Sequence, residues 1–197
     1  MPELPIILVG GGSHSRQVAN ICRSDGRRVL GYVSPHETSM SELGCYFGDD
    51  ENFSQNINAV EEHELIIAIG RVDNRSSQVC NEVVKFYKSL KLPFAKVAHQ
   101  TCHLARTTIV AEGTVLSAGV VINDNSMVCE HTLVNTGAII EHDCKIGAGC
   151  HIAPGAIVCG GVSIGDGSIV GAGSVIIQGS TIPSNTFVKA NSVINYR

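Results

Sequence analysis

The sequence predicts two parts: a small α/β, Rossmann-like domain over residues 1–98, then an all-β, left-handed parallel β-helix over residues 99–197. Three observations carry this. Between Leu104 and Ile194 an aliphatic residue recurs at every sixth position, without insertion. Three and four positions after each rung stand two further columns, one of residues that tolerate a left-handed backbone and one of small side chains. Ahead of the ladder, a short aliphatic strand runs straight into a glycine-rich loop.

Pro5-Ile6-Ile7-Leu8-Val9 is a buried strand by its apolar run, and Gly10-Gly11-Gly12-Ser13-His14-Ser15 follows at once, before a helix from near Arg16. Strand, glycine loop and helix open a nucleotide-type unit, in which loop amides and the helix N-terminus attract a phosphate. The dinucleotide fingerprint is incomplete. Ser15 stands where its third glycine belongs, and the second strand, Val29–Val33, runs into Ser34-Pro35-His36 with no acid for a ribose. NAD binding is therefore not expected. A third strand, Leu65–Ile69, ends at Gly70; a helix follows with Val79, Val83, Tyr87 and Leu90 on one face, then a short strand around Phe94–Val97.

A period of six fits neither a helix (3.6) nor an ordinary strand (2), so the ladder reports a repeat architecture. Three positions after the rungs come nine glycines or Asn125, His131, Asp143, Asn185 and Asn191, residues that accept positive φ. Each hexad is thus one inward aliphatic, a left-handed turn and a tight corner. Three hexads close a triangular coil of eighteen residues, and about five coils stack. Solenoids need their ends covered. The preceding domain is expected to shield one end, and little follows the last rung to cover the other.

Net charge is −4 and no basic run occurs, which argues against nucleic acid and anionic membranes as partners. Apolar runs are too short to span a bilayer. Of the eight cysteines, Cys144 and Cys150 lie in the corner column and Cys129 and Cys159 beside rungs, and no CxxC pair occurs, so they are expected to be reduced, as in a cytoplasmic protein.

The segment from Asn135 to Ala156 holds the candidate chemistry. His142 lies two residues after the rung Ile140, and His151 one before the rung Ile152. Both are expected to point outward from the prism, into solvent or against a neighbouring chain. Imidazole suits proton transfer near neutral pH. Asp143 has a conformational reading as well, because it occupies the left-handed column, and His131 shares it. Asn135 also points outward. A zinc site would need three convergent imidazoles. Eighteen-residue steps from His142 reach Asp124 and Gly160, and from His151 Leu133 and Ile169. No histidine column forms, so no metal is expected.

Over essentially its whole length the chain resembles the bacterial sugar acyltransferases that join a Rossmann-like domain to a left-handed β-helix. These include the bacillosamine- and perosamine-type N-acetyltransferases and the sialic acid O-acetyltransferases. The resemblance rests on Val9-Gly10-Gly11-Gly12-Ser13-His14, on Ala68-Ile69-Gly70 with Arg75 after it, and on Asn135-Thr136-Gly137, Glu141-His142-Asp143-Cys144 and His151-Ile152-Ala153-Pro154-Gly155-Ala156. It implies an acetyl-CoA-dependent enzyme, a homotrimer with active sites between subunits, acting on a nucleotide-linked 4-amino-deoxy sugar for a surface glycan. His142 would be the general base and Asp143 would raise its basicity. His151, Ala172 and Ala190 would contact the acyl donor. Gly12, Ser13, His14, Gly70, Arg75 and Asn135 would hold the sugar nucleotide. O-acetylation of a sialic-acid-type sugar, or a non-catalytic trimeric scaffold, remain open alternatives at this point.

Overall fold

A computed structural model describes residues 3–196. The N-terminal domain is a four-stranded parallel sheet in the order β3-β2-β1-β4, from β1 (Ile6–Val9), β2 (Val29–Val33), β3 (Cys45–Tyr46) and β4 (Glu64–Ile67). Helix α1 (Ser13–Ser24) covers one face; α2 (Asp50–Asn56) and α3 (Asn74–Ser89) cover the other. β3 and α2 carry no strong periodicity and escaped the sequence reading. The buried stripe of α3 is Ser77, Cys80, Val84 and Tyr87. The expected apolar face is thus rotated, since Val79 and Val83 border a cleft instead.

Thereafter the chain winds as a left-handed β-helix of two-residue strands in three parallel sheets of six, six and five strands. Partners lie eighteen residues apart, as in Leu133 with His151. Rungs from Leu116 to Val188 are exposed by no more than 3%, each removing roughly 1.5–3 kcal/mol worth of aliphatic surface from water. All fourteen residues of the turn column have φ between 54 and 72°. The corner column is small for a second reason: its hydroxyls and thiols donate into the next coil. Ser126 Oγ reaches the Glu141 carbonyl at 2.6 Å, Thr132 Oγ1 that of Gly147 at 2.8 Å, and Cys144 Sγ that of Cys159 at 3.1 Å. All eight cysteines are free thiols. Among the described residues no helix is long and apolar enough to cross a membrane.

Two expectations need correcting. The solenoid takes in β5 (Val97–Ala98), which pairs with Val115–Leu116, so it begins two residues before the expected boundary. The first domain does not shield an end coil either. It docks on one side of the prism, where Val97, Val115 and Leu133 join Ile6, Leu8, Val18 and Ala19 in one core, while Leu104 at the first coil stays 39% exposed. Apart from His151, the outward column of that side is apolar (Val97, Val115, Leu133, Ile169 and Phe187), so burying it sideways removes more surface from water than covering a narrow triangular end.

Candidate active site

Where β1 ends, Gly10 adopts φ +132°, and a Cβ there would lie 2.9 Å from the Ala68 carbonyl oxygen. Ser15 sits beneath this turn and donates Oγ–H to the same carbonyl at 3.0 Å, so the residue replacing the fingerprint glycine ties α1 to the end of β4. The first turn of α1 then faces a cleft of about 500 Å³. Gly12, Ser13, His14 and Gly70 line it, together with Val33, Pro35, Val79 and Val83. Burial lowers the pKa of His14, with the Arg71 charge acting the same way. Arg75 is exposed on the first turn of α3 and does not line the cleft. Sequence reasoning missed two charged residues here. Asp50 enters the cleft from the start of α2, and Arg71, directly after Gly70, is buried against the β-helix.

A second cluster joins the two domains. His151 points away from the prism, but onto the docked side, where it is 6% exposed beneath the chain's own N-terminal domain. The expectation that it faces solvent or a neighbouring chain is therefore corrected. Its Nδ1 bonds the Arg71 backbone carbonyl. A carbonyl only accepts, so Nδ1 carries the hydrogen and Nε2 accepts from Asn135 Nδ2 at 3.3 Å. Asn135 Oδ1 in turn accepts from Gln17 Nε2 of α1 at 3.3 Å and from the Thr136 amide at 2.8 Å. Burial pushes the His151 pKa down to about 4, so the ring is neutral and acts as an acceptor at Nε2. His131, in the left-handed column at φ +54°, is also buried, with its ring 4.6 Å from that of Phe94; burial, then Lys88 and Arg71, bring its pKa to about 4.

The third cluster is open. His142 and Asp143 occupy the corner after Ile140, with side chains 56% and 57% exposed, and Nδ1 lies 2.7 Å from Asp143 Oδ2. That hydrogen bond is the main cause raising the His142 pKa and lowering that of Asp143. One coil earlier, Asn125 donates Nδ2–H to Asp143 Oδ1 at 3.2 Å, so the carboxylate is held from both sides. One coil later, Gly160 forms the floor under the ring. A Cβ there would come within 2.7 Å of His142 Cε1 and Nε2. The eighteen-residue spacing marks both neighbours once the coil is known. Because the obstacle would be the end of a mobile side chain, Gly160→Ala should leave thermal stability nearly unchanged while displacing the ring. If His142 acts in the chemistry, kcat should fall roughly 10- to 100-fold, as misplacement by about 1 Å does elsewhere. An unaltered kcat with an unaltered melting curve would show that the ring position is unimportant.

These clusters do not all meet within one chain. The outer side of the six-stranded sheet that contains Ile139–Ile140 carries Val121, Ile139, Ile157, Val175 and Val193, with His103 at its first strand. His142 lies at one edge of this aliphatic side. Asn135, Ala172 and Ala190 lie at the other, where both alanines are exposed and the Ala172 carbonyl accepts from the Asn191 amide at 2.9 Å. A six-residue side separates the two edges by up to roughly 20 Å.

Comparison with known proteins bears on these sites. Residues 5–82 match the PglD N-terminal domain and residues 143–178 the bacterial transferase hexapeptide (six repeats). No curated protein matches the chain. Among solved structures it is similar to a perosamine N-acetyltransferase from Caulobacter crescentus in complex with CoA and GDP-perosamine. The identity is 29%, over 98% of this chain and 89% of that one, with a TM-score of 0.88. Two further structures of that enzyme, each 28% identical to this chain, carry a single histidine replaced by alanine or asparagine. The acetyltransferase domain of PglB from Neisseria gonorrhoeae, in complex with acetyl coenzyme A, has the same fold at 21% identity. That match covers 99% of this chain and 92% of that one, with a TM-score of 0.86.

Proposed function

Because the chain joins the two domains of the bacterial sugar acyltransferases, a PglD N-terminal domain and a hexapeptide-repeat β-helix, we propose that it transfers acetyl from acetyl-CoA to the amine of a nucleotide-linked 4-amino-deoxy sugar. The observation that carries this reading is the exposed His142–Asp143 pair. Its Nδ1–H points at a carboxylate, which leaves the Nε2 lone pair free to accept a proton. The neutral acceptor amine attacks the thioester carbonyl; a C–N bond forms, the C–S bond breaks, and Nε2 takes the amine proton. Asp143 stabilises the imidazolium so formed. The similar perosamine N-acetyltransferase supports the amine as acceptor.

The glycine loop and the N-terminus of α1 form the diphosphate subsite, with Gly12, Ser13, His14 and Gly70 around it. Ala172 and Ala190, with their small exposed side chains, leave the corner backbone open to the donor's pantetheine arm. His151 supports this corner through Asn135, from beneath the N-terminal domain. The separation of His142 from the alanine corner favours a homotrimer. The aliphatic side between them is the surface to pack around a threefold axis, which would set one subunit's His142 edge against the next subunit's alanine edge. With only acetyl-CoA and a sugar nucleotide as substrates, the reading places the enzyme in the cytoplasm.

The test is incubation with acetyl-CoA and a panel of UDP-, GDP- and dTDP-linked 4-amino sugars and free sialic acid, read by mass spectrometry. Gain of one acetyl group on a nucleotide sugar is expected. Acetylation of sialic acid alone would replace this reading by O-acetylation, and no acetylation with no acetyl-CoA binding would leave a scaffold.

A further inference from the structure

We propose that Asp50 selects guanine as the nucleobase of the substrate. The proposal rests on reading the cleft as a sugar-nucleotide site, and it assigns the base that such a site takes.

Among the described residues that line the cleft, Asp50 is the one carboxylate. It does not swing freely. Tyr87, whose ring is fully buried, donates its hydroxyl to Asp50 Oδ1 at 2.6 Å. Asp50 also starts α2, right after Asp49, whose own carboxylate caps that helix by accepting from the Asn52 amide at 2.8 Å. The Asp50 carboxylate is thus fixed, with Oδ2 and one lone pair of Oδ1 available as acceptors.

The chain path places it at the base end of the cleft. Gly70, at the end of β4, lies beside His14 of the glycine loop, so α3 starts near the diphosphate subsite. Leu65 of β4 pairs in parallel with Phe94, beyond the helix; α3 must therefore run back, away from the loop. Val79, Val83 and Tyr87 succeed one another along it at four-residue intervals, spanning about 12 Å. The Asp50–Tyr87 pair lies at the far end of that line, where a carboxylate is clear of the diphosphate it would repel. Val79, Val83 and Val33 supply apolar walls for the faces of a flat ring.

A fixed carboxylate only accepts. Guanine offers it two adjacent donors, N1–H and the 2-amino group, which match its two oxygens. Uracil and thymine offer N3–H between two carbonyl oxygens, and a carboxylate repels both. Adenine offers a 6-amino group beside an N1 acceptor. A site built to accept two hydrogen bonds discriminates strongly against a ligand that lacks them.

Calorimetric titration of the full-length protein with GDP, IDP and UDP tests this. GDP is expected to bind at least tenfold tighter than UDP, and tighter than IDP, which lacks only the 2-amino group. Asp50→Asn should lose tenfold or more in GDP affinity while UDP changes less than twofold. Tyr87→Phe, which frees the carboxylate without removing it, should lose a smaller part. Equal affinity for GDP, IDP and UDP in the unaltered protein overturns the proposal, whatever the variants do. So does an equal loss of GDP and UDP affinity in Asp50→Asn, which would place the carboxylate on the ribose. Failure of all three nucleotides to bind would instead refute the sugar-nucleotide reading, and this proposal with it.

Discussion

Replacing His142 with alanine should lower turnover by roughly 10²–10⁴-fold, the usual contribution of a positioned general base. The acceptor amine must lose a proton as the C–N bond forms, and Nε2 is the free basic atom at this corner. The ring lies over Gly160 and bonds only Asp143 among the described residues, so its removal leaves no cavity in the core. The melting temperature and the oligomeric state should therefore match those of the unaltered protein, and acetyl-CoA should bind as before. kcat and kcat/KM should fall together, the signature of an interaction made in the transition state. Single-turnover measurements across the acetyl-transfer step are the decisive readout. A variant that retained activity within a fewfold of the original would remove His142 from the mechanism.

The β-helix was legible because its constraint is local and periodic. One aliphatic per hexad must face a narrow axis, and from Val110 to Val188 one residue per hexad must accept positive φ, so fourteen successive rungs report the same geometry. That geometry positions His142 and Asp143 at one corner, and the eighteen-residue stack sets Gly160 beside His142 from the sequence alone. What it could not supply was anything set by the docking of the two domains. His151 is outward by its hexad position, and only the packing of β1 and α1 on that side makes outward mean buried. Arg71 and Arg75 are both basic residues soon after Gly70, and sequence spacing does not tell which turns towards the β-helix. Asp50 escaped for a related reason. The usual place for an acid is directly after β2, but the chain brings Asp50 into the cleft from the start of a seven-residue helix without a periodic signature.

Changing Asp143 to asparagine should shift the acid limb of the pH profile as well as lower the rate. The carboxylate raises the His142 pKa above its ordinary 6.5, chiefly through the hydrogen bond to Nδ1. A base must be unprotonated to act, so activity in the unaltered protein should rise with pH through that raised value and level off above it. Without the carboxylate the pKa falls back towards 6.5, and the limb moves to lower pH. The plateau should drop too, by roughly 10- to 100-fold, for two reasons. A less basic imidazole takes the proton less readily. Asparagine can also turn its amide N–H towards Nδ1, which favours the tautomer with hydrogen on Nε2, the atom that must accept. The backbone tolerates the exchange, because Asp143 sits at φ +58° and Asn125 holds the same conformation one coil earlier. Profiles of kcat/KM report groups of the free enzyme and substrate, so the acceptor amine titrates in both proteins and cancels in the comparison. An NMR titration of the His142 ring separates the two directly. A limb that stays in place, with the imidazole pKa unchanged, would leave Asp143 with only its turn-forming role.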